Sequence, residues 1–243
     1  MKAAEAHALL RALPIRDFDA LFGAAPLLIL APHPDDESLA CGGTIAEACA
    51  RGHDIRVVIL TDGSMSHPNS AAWPPERLAA QRRREAIEAM SLLGLARERL
   101  VFLDQKDSQA PHDGAAFKAL AERLAFLLGR WNIGTLCTSW TGDPHGDHVA
   151  AARLAAAACR LQPVRHLAYP VWSWTVPPEA DLPPPGLGAR LDIGRHLPAK
   201  RRAIAAHASQ HGGLIDDDPN GFRLPADFLA LFDRGWEVFF EPA

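Results

Sequence analysis

Short apolar runs alternate with longer amphipathic stretches over the first two thirds of the chain. The apolar runs are Leu27–Ala31, Ile55–Leu60, Leu100–Leu103, Ile133–Thr138 and Leu167–Val171. Each has the length of a buried strand, and each of the first four is followed by a stretch with helical periodicity. Strands that alternate with helices in this way form parallel sheets with right-handed crossovers.

The pattern therefore predicts an α/β fold with a Rossmann-like, mostly parallel sheet flanked by helices. The helical stretches are 3–13, Ser38–Arg51, Glu76–Leu93, Ala115–Arg130, His148–Arg160, Pro198–Ser209 and Asp227–Arg234. Gly52 and Gly94 follow two of these stretches and are typical helix-terminating residues.

The character of the chain changes after Val171. Residues 172–188 are rich in proline and irregular, and Gly212–Pro219 is predicted to form an acidic turn. Arg190–Ile193 is predicted to be an edge strand and Trp236–Phe240 a closing strand. We expect this last third to be an irregular, partly antiparallel C-terminal appendage of a single domain that spans residues 1–243.

Polar side chains concentrate at the ends of two predicted strands. His33, Asp35 and Asp36 follow the first strand, and His145, Asp147 and His148 follow the fourth. In open parallel sheets, ligands bind beyond the carboxyl ends of the strands. Imidazole nitrogens and carboxylate oxygens suit a catalytic zinc ion that keeps one position for water. Of two adjacent aspartates, one can bind the metal while the other faces the water as a general base.

Each polar stretch also has a purely structural interpretation. Asp36 or Ser38 could cap a helix, and Asp143-Pro144 with Gly146 are turn-forming residues. Two separate strand ends that carry the same kinds of metal ligand favour catalysis over this alternative.

Several other residues allow both a structural and a functional interpretation. The long loop Thr61–Pro75 is predicted to be a lid, with Asp62 and His67 as candidate contacts. The run Arg82–Arg84 indicates a solvated basic face, although one arginine near the helix start could reach a substrate. We expect Gly42 and Gly43 to pack closely on the sheet.

Three further side chains allow two interpretations each, and a fourth is expected to have no role. Trp172 and Trp174 follow a strand end and suit either stacking on a sugar or packing in the core. His207 suits either a structural hydrogen bond or the site. His7 is expected at the surface.

Composition narrows the class of protein. The 243 residues are 48% hydrophobic and carry a net charge of −4, which calls for neither a nucleic acid nor an anionic membrane as partner. The longest apolar runs are too short to cross a membrane, and the N-terminal residues lack the apolar core of a signal peptide. The four cysteines form no C-x-x-C pair and suit scattered thiols in a reducing compartment. These features predict a cytoplasmic location.

The motifs resemble the PIG-L/LmbE-like family of zinc-dependent N-deacetylases. The two strongest marks are APHPDDESLACGG at residues 31–43 and HGDHVAA at residues 145–151. Weaker marks are TDG at 61–63, R-x-x-E-A…LG from Arg82 to Gly94, FLDQKDS at 102–108 and K-x-x-A…H-x-SQ from Lys200 to Gln210.

The resemblance implies a role for each residue of the two loops. His33, Asp36 and His148 would be the zinc ligands, although other divalent ions remain open. Asp35 would be the general base, and His145 would stabilise the oxyanion or protonate the leaving amine.

By the same resemblance, Asp147 would orient and polarise a histidine, and Arg82 and Asp107 would lie near the sugar. Gly146 departs from the family, which commonly has proline there. The implied function is removal of an N-acetyl or other N-acyl group from an amino sugar, such as an N-acetylglucosamine conjugate.

Two alternatives are an amidase or other metallohydrolase that acts on a related amide or ester, and a non-catalytic binding module that has kept the fold. The partner implied is a small N-acyl amino sugar, and assembly of identical chains remains open.

Overall fold

The computed structural model describes residues 1–211 and 213–242. Within them, eight strands form one sheet in the order β1-β7-β8-β6-β5-β2-β3-β4. The strands are β1 (Ile15–Arg16), β2 (Leu27–Ala31), β3 (Ile55–Thr61), β4 (Leu100–Gln105), β5 (Thr135–Ser139), β6 (Arg165–Tyr169), β7 (Gly188–Asp192) and β8 (Trp236–Phe240).

Helices cover both faces of this sheet. They are α1 (Ala3–Ala12), α2 (Phe18–Phe22), α3 (Asp36–Ala50), α4 (Pro75–Leu92), α5 (Gly114–Arg130), α6 (Gly146–Leu161), α7 (Leu197–Ala206), α8 (Ala208–His211) and α9 (Ala226–Ala230). Strand β2 shows how the sheet separates two cores. Its residues Leu27 and Ile29 pack with α1–α4, whereas Leu28 and Leu30 pack with α5 and α6. Side chains of a strand alternate between faces, so one five-residue strand contributes to both cores.

The strand pairing confirms the predicted fold class. β2 is hydrogen-bonded in parallel to both β3 and β5, and the pairs β3–β4 and β5–β6 are also parallel. β8 runs antiparallel to β6 and β7, which is the antiparallel C-terminal part expected from the sequence.

Several C-terminal elements differ from those predicted from the sequence. β7 is not an edge strand, because the two-residue strand β1 pairs with its outer side. The predicted helix at Pro198–Ser209 ends at Ala206, and the chain turns at His207 before α8. The last predicted helix is shorter than expected and covers only α9. Of the predicted acidic turn, Gly212 lies outside the described residues.

Of the two glycines expected to pack on the sheet, Gly43 does so. Its N–H donates to Oε1 of Glu237 on β8 at 2.7 Å, and a Cβ atom on it would be 2.5 Å from the Cβ of Ile193, directly after β7. Gly42 instead faces α7, since a Cβ atom on it would be 3.0 Å from Cγ of Lys200.

His7 is buried, and its Nε2 lies 2.7 Å from the carbonyl oxygen of Ser173. The surface position expected for His7 is therefore wrong, because the last third of the chain folds back over α1. Among the described residues, no helix combines the length and the hydropathy needed to cross a membrane.

The first residue of α6 offers a test of local geometry. Gly146 opens the helix, and the preceding His145 has extended dihedrals, φ −133° and ψ 129°. Apart from its chain neighbours and the backbone of its own helix, no described residue has an atom within 4 Å of the position of a Cβ on Gly146. Proline is favoured at a first helical position because its missing N–H needs no partner there. We expect Gly146→Pro to stabilise the fold by about 0.4–1 kcal/mol, because it restricts the unfolded chain. Thermal unfolding should show a rise of about 1–4 °C in Tm.

The matched control is Arg153→Pro, on the exposed side of the same helix. Proline in a helix interior removes a hydrogen bond and should cost about 3 kcal/mol. A fall in Tm for Gly146→Pro would contradict the assignment of Gly146 to the first helical position.

Candidate active site

The two polar loops of the sequence lie side by side. They follow β2 and β5, which are adjacent parallel strands with Leu30 paired to Thr138. Both strands therefore end at the same edge of the sheet, and the ring centroids of His33 and His148 are 5.3 Å apart. Residues separated by more than a hundred positions in the chain thus form one site.

Asp36 connects the two loops. It is the first residue of α3, and its Oδ2 lies 3.2 Å from Nδ1 of His33 and 3.2 Å from Nε2 of His148. Burial alone would raise the pKa of Asp36, but the two imidazoles hold it well below the usual range. Asp36 is therefore an ionised carboxylate between two imidazole nitrogens.

A second carboxylate fixes the orientation of His148. Asp143 Oδ2 lies 2.8 Å from Nδ1 of His148, and Asp143 in turn accepts backbone N–H groups from Val171 and Ser173. The other ring nitrogen, Nε2, is buried and makes no hydrogen bond within the described residues. Burial lowers the pKa of His148, but the charges of Asp36 and Asp143 raise it to about 9. This surplus of negative charge favours a cation between His148 and Asp36.

His33 is held in the same way from the opposite side. Its Nε2 lies 3.1 Å from Oδ2 of Asp147 and 3.4 Å from Oδ1 of Asp107. Asp147 is fixed by backbone N–H groups of Ser108 and Ala110, at 2.7 and 3.1 Å. Because Nε2 of His33 is hydrogen-bonded to Asp147, Nδ1 of the same ring faces Asp36. Carboxylates behind metal-binding histidines commonly orient the ring in this way.

The donor atoms around Asp36 fit a metal ion. They comprise two imidazole nitrogens and one carboxylate oxygen, with one open side formed by the pocket that His33 and Asp36 line. Three such ligands with one open position are typical of catalytic zinc. Two overlapping groups also bring ligand atoms within 4.8 Å of one another, namely His33 with His145 and His148, and His33 with Asp107 and Asp147.

Asp35 has a strained backbone and a perturbed carboxyl group. Its φ of 132° is rare for a residue with a side chain. Its N–H donates to Oε2 of Glu37 at 3.0 Å, and its Oδ2 lies 3.0 Å from the guanidinium of Arg82. Burial raises the pKa of Asp35 to about 7, with Arg82 opposing and Asp36 reinforcing the rise. A carboxyl group that lines the pocket and has a pKa near neutrality suits proton transfer.

Arg82 is buried, so the expected basic face on α4 is wrong for this residue. It donates to the carbonyl oxygens of Pro34, at 2.6 Å, and Gly63, at 3.0 Å, besides its contact with Asp35. Arg84 is exposed, as expected. The difference follows from the turn of the helix, which points Arg82 at the loop of Asp35.

His145 is placed to donate a hydrogen bond into the pocket. Its Nδ1 accepts the backbone N–H of Asp147 at 3.2 Å, so its proton belongs on Nε2. Burial, with the neighbouring His33 and His148, lowers the pKa of His145 to about 4. It is thus a neutral donor at pH 7, whose ring centroid lies 4.6 Å from that of His33.

The pocket over these groups has a volume of about 190 Å³. Its wall combines the polar side chains with apolar ones from the C-terminal third. The lining residues are His33, Asp35, Asp36, Leu39, Met65, Ser66, Arg82, Asp107, Ser108, His145, Trp172, Gln210, Phe222 and Leu224. Trp172 lies at the pocket and stacks on Phe228, with centroids 4.2 Å apart, whereas Trp174 packs in the core.

The loop that was predicted to be a lid is fixed to the C-terminal segment. Asp217 accepts the Ser70 hydroxyl at 2.6 Å, and Asp218 accepts the N–H of Asn69 at 2.9 Å. His67 packs directly against Gly221 and does not line the pocket. Asp62 has an indirect role, because its Oδ1 accepts the N–H of Asp107 at 3.1 Å.

Two carboxylates that support the site are not predicted from the sequence. The residues around Asp143 indicate a turn, and no sequence feature assigns a role to Glu37. The signal for Asp143 was its place in the same loop as His148, five residues ahead of it. The signal for Glu37 was a third acidic residue directly after two others, since such a cluster is costly to bury without partners.

Comparisons with known proteins agree with this geometry. The sequence profile of the PIG-L family, described as GlcNAc-PI de-N-acetylase, matches residues 28–159. A 1D-myo-inositol 2-acetamido-2-deoxy-alpha-D-glucopyranoside deacetylase of Saccharomonospora viridis is 30% identical over 76% of this chain and 84% of its own length. A probable N-acetyl-alpha-D-glucosaminyl L-malate deacetylase 2 of Bacillus anthracis is 29% identical over 79% of this chain and 84% of its own.

A solved structure shows the same fold. It is an N,N'-diacetylchitobiose deacetylase from Pyrococcus horikoshii, with a TM-score of 0.68 and 22% identity. The match covers 98% of this chain and 90% of that one.

Proposed function

Because the chain belongs to the PIG-L family of GlcNAc-PI de-N-acetylases, we propose that it is a zinc-dependent deacetylase of an N-acetylglucosamine conjugate. The observation that carries the proposal is the position of Asp36 between His33 and His148, with Asp35 beside them at the pocket. We also propose that residues 1–243 form one such domain, since a single sheet takes strands from Ile15 to Phe240.

His33, Asp36 and His148 would hold the zinc ion. The buried Nε2 of His148, without a hydrogen bond within the described chain, and the ionised Asp36 support this set. Zinc supplies Lewis acidity, which makes water nucleophilic near neutral pH and polarises the amide carbonyl.

Asp35 would accept the proton of the attacking water. Its carboxyl group lines the pocket. A pKa near 7 allows Asp35 to be ionised when it accepts the proton of the water and to donate that proton later to the leaving amine. The water oxygen bonds to the acyl carbon, the C–N bond breaks, and acetate and a free amine leave.

His145 would donate a hydrogen bond from Nε2 to the carbonyl oxygen as negative charge develops there. A neutral donor fixed before the reaction needs no reorganisation when the charge appears. Protonation of the leaving amine can then come from Asp35, which has taken the proton of the water. Asp147 would act by orienting His33.

Arg82 and Asp107 would lie near the sugar, since both line the pocket. Arg82 would also hold Asp35 through their 3.0 Å contact. The cavity of about 190 Å³ is smaller than the roughly 300–1,000 Å³ of pockets for drug-sized ligands. We therefore infer that it receives one acylated sugar ring, with the remainder of the conjugate at the rim.

The function is tested by incubating the zinc-loaded protein with N-acetylglucosamine linked to inositol, to malate or to a second N-acetylglucosamine. We expect release of acetate and free amine from at least one conjugate. The matched variant is Asp35→Asn, which should lower kcat by about 100- to 10,000-fold by removing the base. Its zinc content should be unchanged, because asparagine has the size of aspartate and keeps an oxygen that can accept a hydrogen bond from Arg82.

Two results would oppose the proposal. Turnover of simple N-acyl amides but of no acylated sugar would favour an amidase. Near-full activity of a zinc-loaded Asp35→Asn variant would remove Asp35 from the role of base.

Loss of the Arg82 charge should change the pH dependence of activity. Asp35 works as a base only when ionised, so kcat/KM rises as the pH passes the pKa of Asp35. The positive charge of Arg82 favours the ionised form, and Arg82→Gln should move this acidic limb upward by about one to three pH units. The measurement is kcat/KM from pH 5 to 10. The control is Arg84→Gln, on the exposed side of α4, and an acidic limb that stays in place or moves downward in Arg82→Gln would contradict the pairing.

The carboxylate behind His148 should control metal affinity. We expect Asp143→Asn to weaken zinc binding by about 10- to 100-fold, as is typical for residues that orient a metal-binding histidine. Competition with a chromogenic chelator measures the affinity directly. Asp181→Asn, at an exposed ion pair with Lys2, is the control. Equal zinc affinity in Asp143→Asn and the unchanged protein would exclude His148 as a ligand oriented by Asp143.

A further inference from the structure

A chain of buried hydrogen bonds leads from the C-terminal third of the protein to the backbone of Asp35. Its members are Glu37, Ser38 and His207, all of which are almost completely shielded from solvent. None of them contacts the pocket directly. Their hydrogen bonds connect them with the site through the turn that carries Asp35.

Glu37 is the centre of this chain. Its Oε2 accepts the N–H of Asp35 at 3.0 Å, and its Oε1 accepts the hydroxyl of Ser38 at 2.9 Å. Nε2 of His207 lies 3.0 Å from the Ser38 hydroxyl and 3.3 Å from Oε1 of Glu37. Since the Ser38 proton is donated to Glu37, the Ser38 oxygen accepts the proton on Nε2 of His207.

His207 reaches this position only because the helix breaks. The chain leaves helical geometry at His207, with φ −78° and ψ 56°, between α7 and α8. Its other ring nitrogen, Nδ1, is buried without a hydrogen bond in the part of the chain that the structure describes. Within the described residues, the hydrogen-bonding contacts of the ring are therefore with Ser38 and Glu37.

Asp35, at the end of this series of hydrogen bonds, needs such support. Asp35 has a φ of 132°, and strained residues of this kind persist only where surrounding structure holds them. The backbone N–H of Asp35 is bound to Glu37, and the side chain to Arg82. A carboxylate as deeply buried as Glu37 needs donors of its own to remain in place.

We infer that His207 is a positioning residue for Asp35, acting through Ser38 and Glu37 on the backbone of the strained turn. The inference rests on the proposed role of Asp35 as the general base. Without the contact from His207, Glu37 relaxes toward Ser38 alone, and the carboxylate of Asp35 loses its fixed position over the pocket. A misplacement of about 1 Å can cost about 100-fold in rate without removing any reacting group.

The test compares His207→Phe with His207→Gln in the zinc-loaded protein, using the conjugate that the unchanged protein deacetylates. Phenylalanine keeps a ring but donates no hydrogen bond, whereas the glutamine amide can donate to Ser38. We expect His207→Phe to lower kcat by about 10- to 100-fold, with KM changed less than threefold and one zinc retained per chain. His207→Gln should recover most of kcat.

The control is His53→Phe. His53 precedes β3, at the opposite edge of the sheet, and contacts Phe18. This variant should leave kcat and KM unchanged. A merely structural histidine would lower stability, zinc content and the amount of active protein without separating kcat from KM.

Three results would overturn the inference. They are a loss of less than fivefold in His207→Phe, a loss of kcat that His207→Gln does not restore, and a loss that follows the zinc content. If His207→Phe does not fold, the inference is tested with Ser38→Ala instead. It removes the bridging hydroxyl alone, so the same selective loss of kcat supports the inference and an unchanged kcat overturns it.

The outcome is separable from that of the proposed function. If Asp35→Asn keeps its activity, the role of Asp35 fails and the inference fails with it. If Asp35→Asn is inactive while His207→Phe is fully active, only the positioning role of His207 is lost.

Discussion

The geometry of the candidate site depends on the contact of one carboxylate oxygen with two imidazoles. Oδ2 of Asp36 is 3.2 Å from a nitrogen of His33 and equally far from one of His148. Three buried polar groups are costly to remove from water unless charge and hydrogen bonds compensate them. Asp143 and Asp147 provide that compensation at the outer ring nitrogens. The adjacency of β2 and β5 is what makes the contact geometrically available, because it places both loops at one edge of the sheet.

The same edge also holds a strained residue, and the strain is supported from two directions. Arg82 comes from α4 and binds the carboxylate of Asp35, while Glu37 comes from α3 and binds its backbone N–H. The C-terminal third secures both supports. Ser209 donates its N–H and its hydroxyl to Glu85 on α4, and His207 contacts Ser38 on α3. The motifs of the site lie in the first two thirds of the chain, but their geometry depends on the last third.

This division explains which features could be predicted from sequence. The parallel strands and the two polar loops depend on local periodicity and on one topological rule, so the sequence indicated them and the structure has them. The burial of Arg82, the break at His207 and the role of Asp143 depend on contacts across many residues. The run of three arginines by itself does not separate Arg82 from Arg84. The family resemblance singles out Arg82, and the packing of α4 on the loop of Asp35 is what buries it. β1 was missed because two residues carry no periodicity.

The apolar residues that line the pocket, called its rim here, are held differently from the polar residues that form its floor. The polar floor residues are bound to one another, so their positions leave little freedom to accommodate different conjugates. Met65, Phe222 and Leu224 instead present apolar surface from two segments that join at the rim. These segments are connected by the N–H of Phe222 to the carbonyl of Ser66 and by Asp217 and Asp218 to residues 69–72. A substitution that changes apolar shape at the rim leaves these hydrogen bonds and the floor intact. The apolar shape at these positions is therefore physically separable from the polar groups proposed to carry the chemistry.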